Sequence, residues 1–269
     1  MSNSKKPENI AKYTRWLKER HNISLDKRVE NYYKKVTTYI KNDLKNSDLW
    51  RTLIENLKEY NDEYRIINKG YILLLEAPES IELMIKPFDS LVDKSFRKNI
   101  LNNKNFENPP TKGWILPDNW LSRINDNIRT TIVVKYLDGV EFIIEKLKYY
   151  FKQECSKKCK SYLEAREEGY YAAHLYFTHE FEVPSIDLGT KSIEISIEIQ
   201  ITTQLQELIR TLLHKYYGEK RLKTPEEISK WQWDYKSNEF ATNYLGHILH
   251  YIEGMIMDIR ERISKEEER

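Results

Sequence analysis

The chain has 269 residues, 40% of them apolar and 12% aromatic, which suffices for one sizeable core or a core carrying a helical appendage. Lys and Arg number 44 against 42 Asp and Glu, so a heavily charged surface carries a net charge of only +2 and a strongly basic nucleic-acid binder is not indicated. No apolar run reaches the length of a membrane span and the start, MSNSKKPENIAKYTRW, has no hydrophobic stretch that could serve as a signal peptide; a cytoplasmic protein with no membrane partner is expected.

Residues 12–75 read as helical, with Tyr32, Val36, Tyr39, Ile40 and Leu44 recurring at steps of three and four. Asn99 to Asp118 holds Asn-Asn, Pro-Pro and Lys-Gly pairs and predicts an exposed loop. Ile128 to Tyr136 predicts a strand and Val140 to Phe151 a helix. Cys155 and Cys159 lack a second ligand pair at metal spacing and read as reduced thiols near a helix end. His174 to Val183 and Lys191 to Thr202 predict the two strands of a long-looped antiparallel hairpin, followed by a helix over Gln204 to Tyr217.

The second hairpin strand, KSIEISIEIQIT, alternates strictly. Period two sends Ile193, Ile195, Ile197, Ile199 and Ile201 to one face, and Glu194, Ser196, Glu198, Gln200 and Thr202 to the other. A sheet with an apolar back and a carboxylate-bearing front suited to a solvated cleft follows. Further on, Pro225 opens a predicted helix and Trp231-Gln-Trp-Asp-Tyr235 forms an aromatic cluster. Phe240 to Arg260 predicts a long amphipathic helix with Phe240, Tyr244, Ile248, Ile252, Met255 and Ile259 as its packing stripe and His247 and His250 beside it; the tail SKEEER is expected to fray.

The chain lacks the G-x-x-x-x-G-K phosphate loop, the dinucleotide G-x-G-x-x-G, H-E-x-x-H and G-x-S-x-G, so any phosphate binding must rest on side chains. Four segments carry candidate chemistry. Lys86, Ser90 and Lys94, with Arg97 and Lys98 behind them, are cations spaced to share one helix side; Asp126-Asn-Ile-Arg129 enters a strand; Gly169-Tyr170-Tyr171-Ala-Ala-His174 offers a rigid aromatic surface; and Glu198-Ile-Gln-Ile-Thr-Thr203 puts Glu198 and Gln200 on a polar face. Taken singly, each has a plainer reading: a solvated helix face, a turn residue, a core tyrosine, an exposed carboxylate on an edge strand.

In this order, from about Ile81 to Arg221, the four segments resemble the synthetase domain of the RelA/SpoT family, and the likeness to small single-domain members extends to His214. The resemblance implies an α+β fold: a central mixed, largely antiparallel sheet of about five strands flanked by helices, in a nucleotidyltransferase-like synthetase core. That core would span 79–222, between a helical extension over 1–78 and another over 223–269. The activity implied is pyrophosphoryl transfer from ATP to a ribose 3'-hydroxyl, with GDP or GTP as acceptor, yielding (p)ppGpp. Asp126 and Glu198 would face each other across one cleft and hold Mg²⁺, which prefers one or two carboxylates plus phosphate oxygens. Glu198 would alternatively take the hydroxyl proton, with Gln200 orienting nearby groups. Lys86, Ser90, Lys94, Arg97 and Arg129 would hold ATP, while Tyr170 would stack on the acceptor base and His174 and His214 would contact the acceptor.

The sequence departs from the family pattern at Met84, Thr202 and Leu213, each in place of a charged residue, and at Ala165-Arg-Glu-Glu168, where P-K-x-N is usual. Arg129 stands three residues after Asp126, where the family spacing is five. These departures bear on the acceptor's contacts. An alternative is therefore the toxin-type synthetase that pyrophosphorylates the 3' end of tRNA, with an antitoxin as partner and with Lys152, Lys157, Lys158, Lys160, Lys215, Lys220, Arg221 and Lys223 as backbone contacts. A further alternative is a catalytically degenerate nucleotide- or RNA-binding module. Homo-oligomerisation through the C-terminal helix is also open.

Overall fold

A computed structural model describes residues 6–184, 189–211 and 231–267. The helical stretch expected over 12–75 is three helices that end at Ile67; residues 68–75 are not helical, and Leu74 instead bridges Val134. The Asn9 side chain caps α1 (Ile10–His21) and Asn22 ends it in the left-handed conformation. Next come α2 (Lys27–Asn46) and α3 (Asp48–Ile67), the latter capped by Ser47. The buried stripe of α2 is Tyr33, Val36, Thr37, Ile40 and Leu44, whereas Tyr32 and Tyr39 face outward. Tyr33 goes inward because its hydroxyl finds a partner there, donating to the carbonyl of Lys86 at 2.9 Å.

Five strands form one sheet in the order β1-β2-β5-β4-β3: β1 (Met84–Ile85), β2 (Ile128–Val134), β3 (Cys159–Ala165), β4 (Tyr171–Pro184) and β5 (Thr190–Thr203). The β1–β2 and β3–β4 pairs are antiparallel, with Met84 opposite Arg129 and Tyr162 opposite His174. Around the sheet lie α4 (Phe88–Phe96), α5 (Trp120–Arg123), α6 (Leu137–Tyr149), α7 over residues 204–211, and α8 (Asn238–Glu267). The architecture is the α+β class expected. No helix among the described residues is long and apolar enough to cross a membrane.

The chain forms two compact units, each assembled from three stretches: Met1–Leu44, Met84–Arg129 and His179–Ile197 in the first, and Lys45–Leu83, Thr130–Thr178 and Glu198–Arg269 in the second. The first is centred on Tyr13, Trp16, Leu17, Phe96 and Ile100, with a neighbouring cluster of Tyr33, Leu91, Val92, Ile115, Trp120 and Ile124. The loop expected from Asn99 is not exposed at its start. Asn99 is buried, donating to Tyr13 Oη and the Ile115 carbonyl, both at 2.8 Å, while its own side-chain oxygen accepts from Ile115 N–H at 2.9 Å. An amide that satisfies three groups in the core outweighs the turn preference that the composition suggested.

In the second unit, Phe151 and Phe177 stack at 4.1 Å and Ile199 and Ile201 are fully buried. The stripe expected to pack on α8 is largely outside: Tyr244, Ile248, Ile252, Met255 and Ile259 are exposed, and Asn243, Gly246, Glu253 and Arg260 are buried instead. Partners explain the reversal. Glu253 bonds Thr203; Arg260 bonds Asp138, donates to Tyr64 Oη at 2.9 Å and Asn68 Oδ1 at 3.1 Å, and lies over the rings of Tyr71 and Tyr136 at 5.0 and 4.9 Å. Of the aromatic cluster, Trp231 is buried against Tyr244, and Trp233 and Tyr235 are exposed. Residues 264–267, expected to fray, are helical.

Candidate active site

Asp126 sits just ahead of β2, on a turn clamped by its neighbour. The Asn127 side chain donates to the carbonyls of Trp120 at 3.0 Å and Ile124 at 2.6 Å, and Asn127's own carbonyl accepts from Lys86 N–H at 2.9 Å. That last bond continues the β1–β2 ladder and brings Lys86 beside Asp126, with Lys86 Nζ 2.8 Å from Oδ2. From α4, Lys94 Nζ reaches Oδ1, also at 2.8 Å. Lys86 precedes α4, so the two lysines meet through the strand-to-helix junction and not along one helix side.

All of these groups are in the first unit. Burial alone would raise the Asp126 carboxyl, but the charges and hydrogen bonds of Lys86 and Lys94 hold it far below the usual carboxylate range. Lys86 is lowered chiefly by burial, with Asp126 opposing and the charges of Lys94 and Arg129 adding to the fall. Lys98 is lowered by burial and then by Lys94. Arg129 Nε is buried without a hydrogen-bond partner. Cations thus outnumber the one carboxylate among them, an arrangement that an arriving polyanion would relieve. Ser90 is exposed on the first turn of α4, and Arg97 pairs with Asp93 at 2.9 Å.

Tyr170, His174, Glu198 and Gln200 come together in the second unit. Glu198 is 5% exposed and His174 is 7% exposed, so this part of the polar strand face is covered, not bathed in solvent as alternation suggested. Glu198 Oε1 accepts from Tyr176 Oη at 2.6 Å and lies 2.8 Å from His174 Nδ1. The other ring nitrogen, Nε2, is 3.0 Å from Glu164 Oε2. Tyr162 stacks on the imidazole at 5.1 Å. Burial pulls the imidazole down, but the bonds and charges of Glu164 and Glu198 outweigh it and push its pKa up to about 9. Glu164 falls to about 2, first through its bond to His174, with burial opposing and Arg166 assisting. His174 is therefore an imidazolium between two carboxylates, on Glu198 through Nδ1 and within ion-pair distance of Glu164 through Nε2.

Tyr170 follows Gly169, whose φ of +76° turns the chain out of Arg166 and into β4. Its hydroxyl accepts from Gln200 Nε2 at 2.6 Å, its ring faces the Arg166 guanidinium at 5.2 Å, and burial raises the phenol to about 12. The phenol is neutral at physiological pH and its ring orientation is fixed at both ends. Sequence reasoning missed Glu164, Tyr162 and Tyr176. Tyr176, two after His174 on β4, lies in a strand the sequence predicts and shares the face of His174 by period two, while Glu164 and Tyr162, two residues apart on β3, would have followed only had β3 been recognised. His214, Leu213, Pro225 and the cluster from Lys215 to Lys223 lie outside the described residues.

Among the described residues there is no group of three or more His, Cys, Asp or Glu that could hold a metal ion. The carboxylates present suit a cation that draws its other ligands from a substrate, as Mg²⁺ does with phosphate oxygens. Both Asp126 oxygens are held by ammonium groups, so Asp126 could serve such an ion only once a lysine turns to another anion.

No protein-family model matches the sequence, and no curated protein matches it. Solved structures do. Small alarmone synthetase 1 from Bacillus subtilis, bound to its product pppGpp, matches with a TM-score of 0.51 at 18% identity over 89% of this chain and 100% of that one. A protein from Streptococcus mutans matches with a TM-score of 0.50 at 18% identity over 82% of this chain and 96% of that one. The chain therefore has the RelA/SpoT-type small alarmone synthetase fold.

Proposed function

We propose that this chain, built on the small alarmone synthetase fold, is a pyrophosphokinase that moves the β- and γ-phosphoryl groups of ATP onto the ribose 3'-oxygen of GDP or GTP. The observation that carries the reading is the surplus of cations around Asp126: Lys86 and Lys94 bonded to it, with Arg129 and Lys98 near enough to act on their charges. A triphosphate is the polyanion such a cluster suits, because negative charge grows on the bridging oxygen as AMP departs. The product bound in the Bacillus subtilis relative is of the chemical class this reaction makes.

In the step itself, the 3'-oxygen forms a bond to the β-phosphorus and the bond from that phosphorus to the oxygen bridging the α-phosphate breaks. AMP leaves, and the hydroxyl proton passes to a base. Glu198 would serve that end of the reaction: with Tyr176 and His174 on its Oε1, its Oε2 would accept a hydrogen bond or the proton from the hydroxyl. Tyr170, held by Gln200 and Arg166, offers a ring face on which a base can stack. Mg²⁺ would be held by phosphate oxygens together with a carboxylate such as Asp126 and would neutralise charge on the transferred group.

Incubation of the purified protein with ATP labelled at the γ-phosphate, and with GDP, GTP or deacylated tRNA in turn, tests the reading. Label entering GDP or GTP with equimolar release of AMP is expected, with loss of transfer in Lys86→Met. Label confined to tRNA would move the acceptor to an RNA 3' end, and no label in any acceptor would remove the transferase reading.

A further inference from the structure

Tyr170 is presented by a tight turn. Strands β3 and β4 pair as far as Ala165 opposite Tyr171, and the connection closes with Gly169 N–H on the Arg166 carbonyl at 3.0 Å and Arg166 N–H on the Tyr170 carbonyl at 2.9 Å. The turn, Arg166-Glu-Glu-Gly169, includes no proline to fix its backbone, and Glu167 at its tip is exposed. Hairpin tips of this kind are among the first parts of a sheet to open. A base stacked on Tyr170 is therefore oriented only as well as the turn is held.

Helix α8 braces that turn through one side chain. His247 Nε2 lies 2.8 Å from the Glu167 carbonyl oxygen, and His247 Nδ1 lies 2.8 Å from Tyr171 Oη. A carbonyl can only accept, so Nε2 carries the proton, and Nδ1 of the neutral ring accepts from the Tyr171 hydroxyl. One imidazole thus ties the tip of the turn to the residue that follows Tyr170. Gly246, its neighbour on α8, meets the backbone of Gly169, and Gln232 bonds the Glu167 side chain. His250, by contrast, stacks on Tyr171 at 3.7 Å and lies 3.3 Å from Glu253 Oε2, on one side of the turn. All of these residues belong to the second unit.

We infer that His247 is a positioning residue for the acceptor nucleotide: by bridging Glu167 and Tyr171 it holds the turn so that Tyr170 meets the base in one orientation. It acts through the turn and not on the reacting atoms. The role rests on the reading of Tyr170 as the surface on which the acceptor base stacks. A brace of this kind supports acceptor binding equally before and during transfer, so its loss weakens binding without slowing the bound complex.

Two measurements on the full chain separate the brace from its role. Hydrogen–deuterium exchange without nucleotide reads the turn, and the backbone amides of residues 166–171 are expected to exchange about tenfold faster in His247→Ala than in wild type. Transfer kinetics at saturating ATP read the role: KM for GDP or GTP is expected to rise about tenfold, while kcat and the KM for ATP change less than about twofold. Tyr171→Phe removes only the hydroxyl; it should raise the acceptor KM by about threefold, and it gives the same readouts if His247→Ala does not fold. Unchanged exchange in a folded His247→Ala overturns the brace. Faster exchange with an unchanged acceptor KM, or with a fall in kcat alone, overturns the positioning role. A wild type that transfers to no acceptor overturns the acceptor reading and the positioning role with it, and the exchange result, which needs no nucleotide, tells that failure apart from a failure of the brace.

Discussion

His174 is the residue on which the second unit's charge balance turns, and its protonation makes a prediction with a definite sign. Its folded pKa of about 9 stands above the usual 6.5, so the stability it contributes is complete below pH 6.5 and is lost as pH rises through 9. Glu164 runs the other way. Its folded pKa of about 2 lies below the usual 4.5, so its contribution is present above pH 4.5 and lost as pH falls toward 2. Thermal unfolding is expected to show a midpoint that declines between pH 6.5 and 9 in wild type and loses that decline in His174→Gln; equal slopes in both proteins would refute the assignment. In the first unit the corresponding residue is Asp126. Replacing it by Asn leaves Lys86 buried without its counter-charge, and this should lower unfolding stability by about 2–4 kcal/mol in urea titrations. A loss under about 0.5 kcal/mol would mean that water already pays for the lysine.

At the scale of elements, α8 depends on a close approach that only glycine permits. A Cβ at position 246 would be driven into the carbonyl oxygen of Gly169, and a Cβ on Gly169 would strike the carbonyl of Asn243. Gly246→Ala is therefore expected to cost about 2 kcal/mol or more through displacement of the helix, although alanine is the better helix former by about 1 kcal/mol. An unchanged melting temperature would show that the two backbones do not meet. How far such elements were legible differs by physical cause. Strand β5 could be read because five isoleucines alternate with polar residues, and its alternation placed Glu198 and Gln200 correctly on one face. Strand β3 could not, since Cys-Lys-Ser-Tyr-Leu-Glu-Ala lies at the sheet edge with both faces partly open and no apolar alternation. For α8 the periodicity was right and its direction wrong: hydrophobic spacing identifies a face, but Glu253 and Arg260 turn inward because Thr203, Tyr64 and Asp138 satisfy them there.

For the molecule as a whole, the proposed chemistry divides its residues between the two compact units, with Asp126 in the first and Glu198 in the second. The sequence could supply both, because each opens or lines a strand with a recognisable pattern; it could not supply the ion pairs that restrain them, since Lys86 reaches Asp126 across 40 residues and Glu164 is linked to Glu198 only through His174. If one reaction uses both carboxylates, their removals must not multiply. Either Asp126→Asn or Glu198→Gln alone should lower kcat for transfer by about a thousandfold, and the double variant should fall no further than the weaker single, because a step already deprived of one essential group has little left to lose from the second. Independent roles would give the product of the two losses, roughly a millionfold, or a floor set by the assay. Single-turnover transfer measured with saturating ATP separates these outcomes from changes in nucleotide binding, and a fully multiplicative double variant would assign the two carboxylates to separate events.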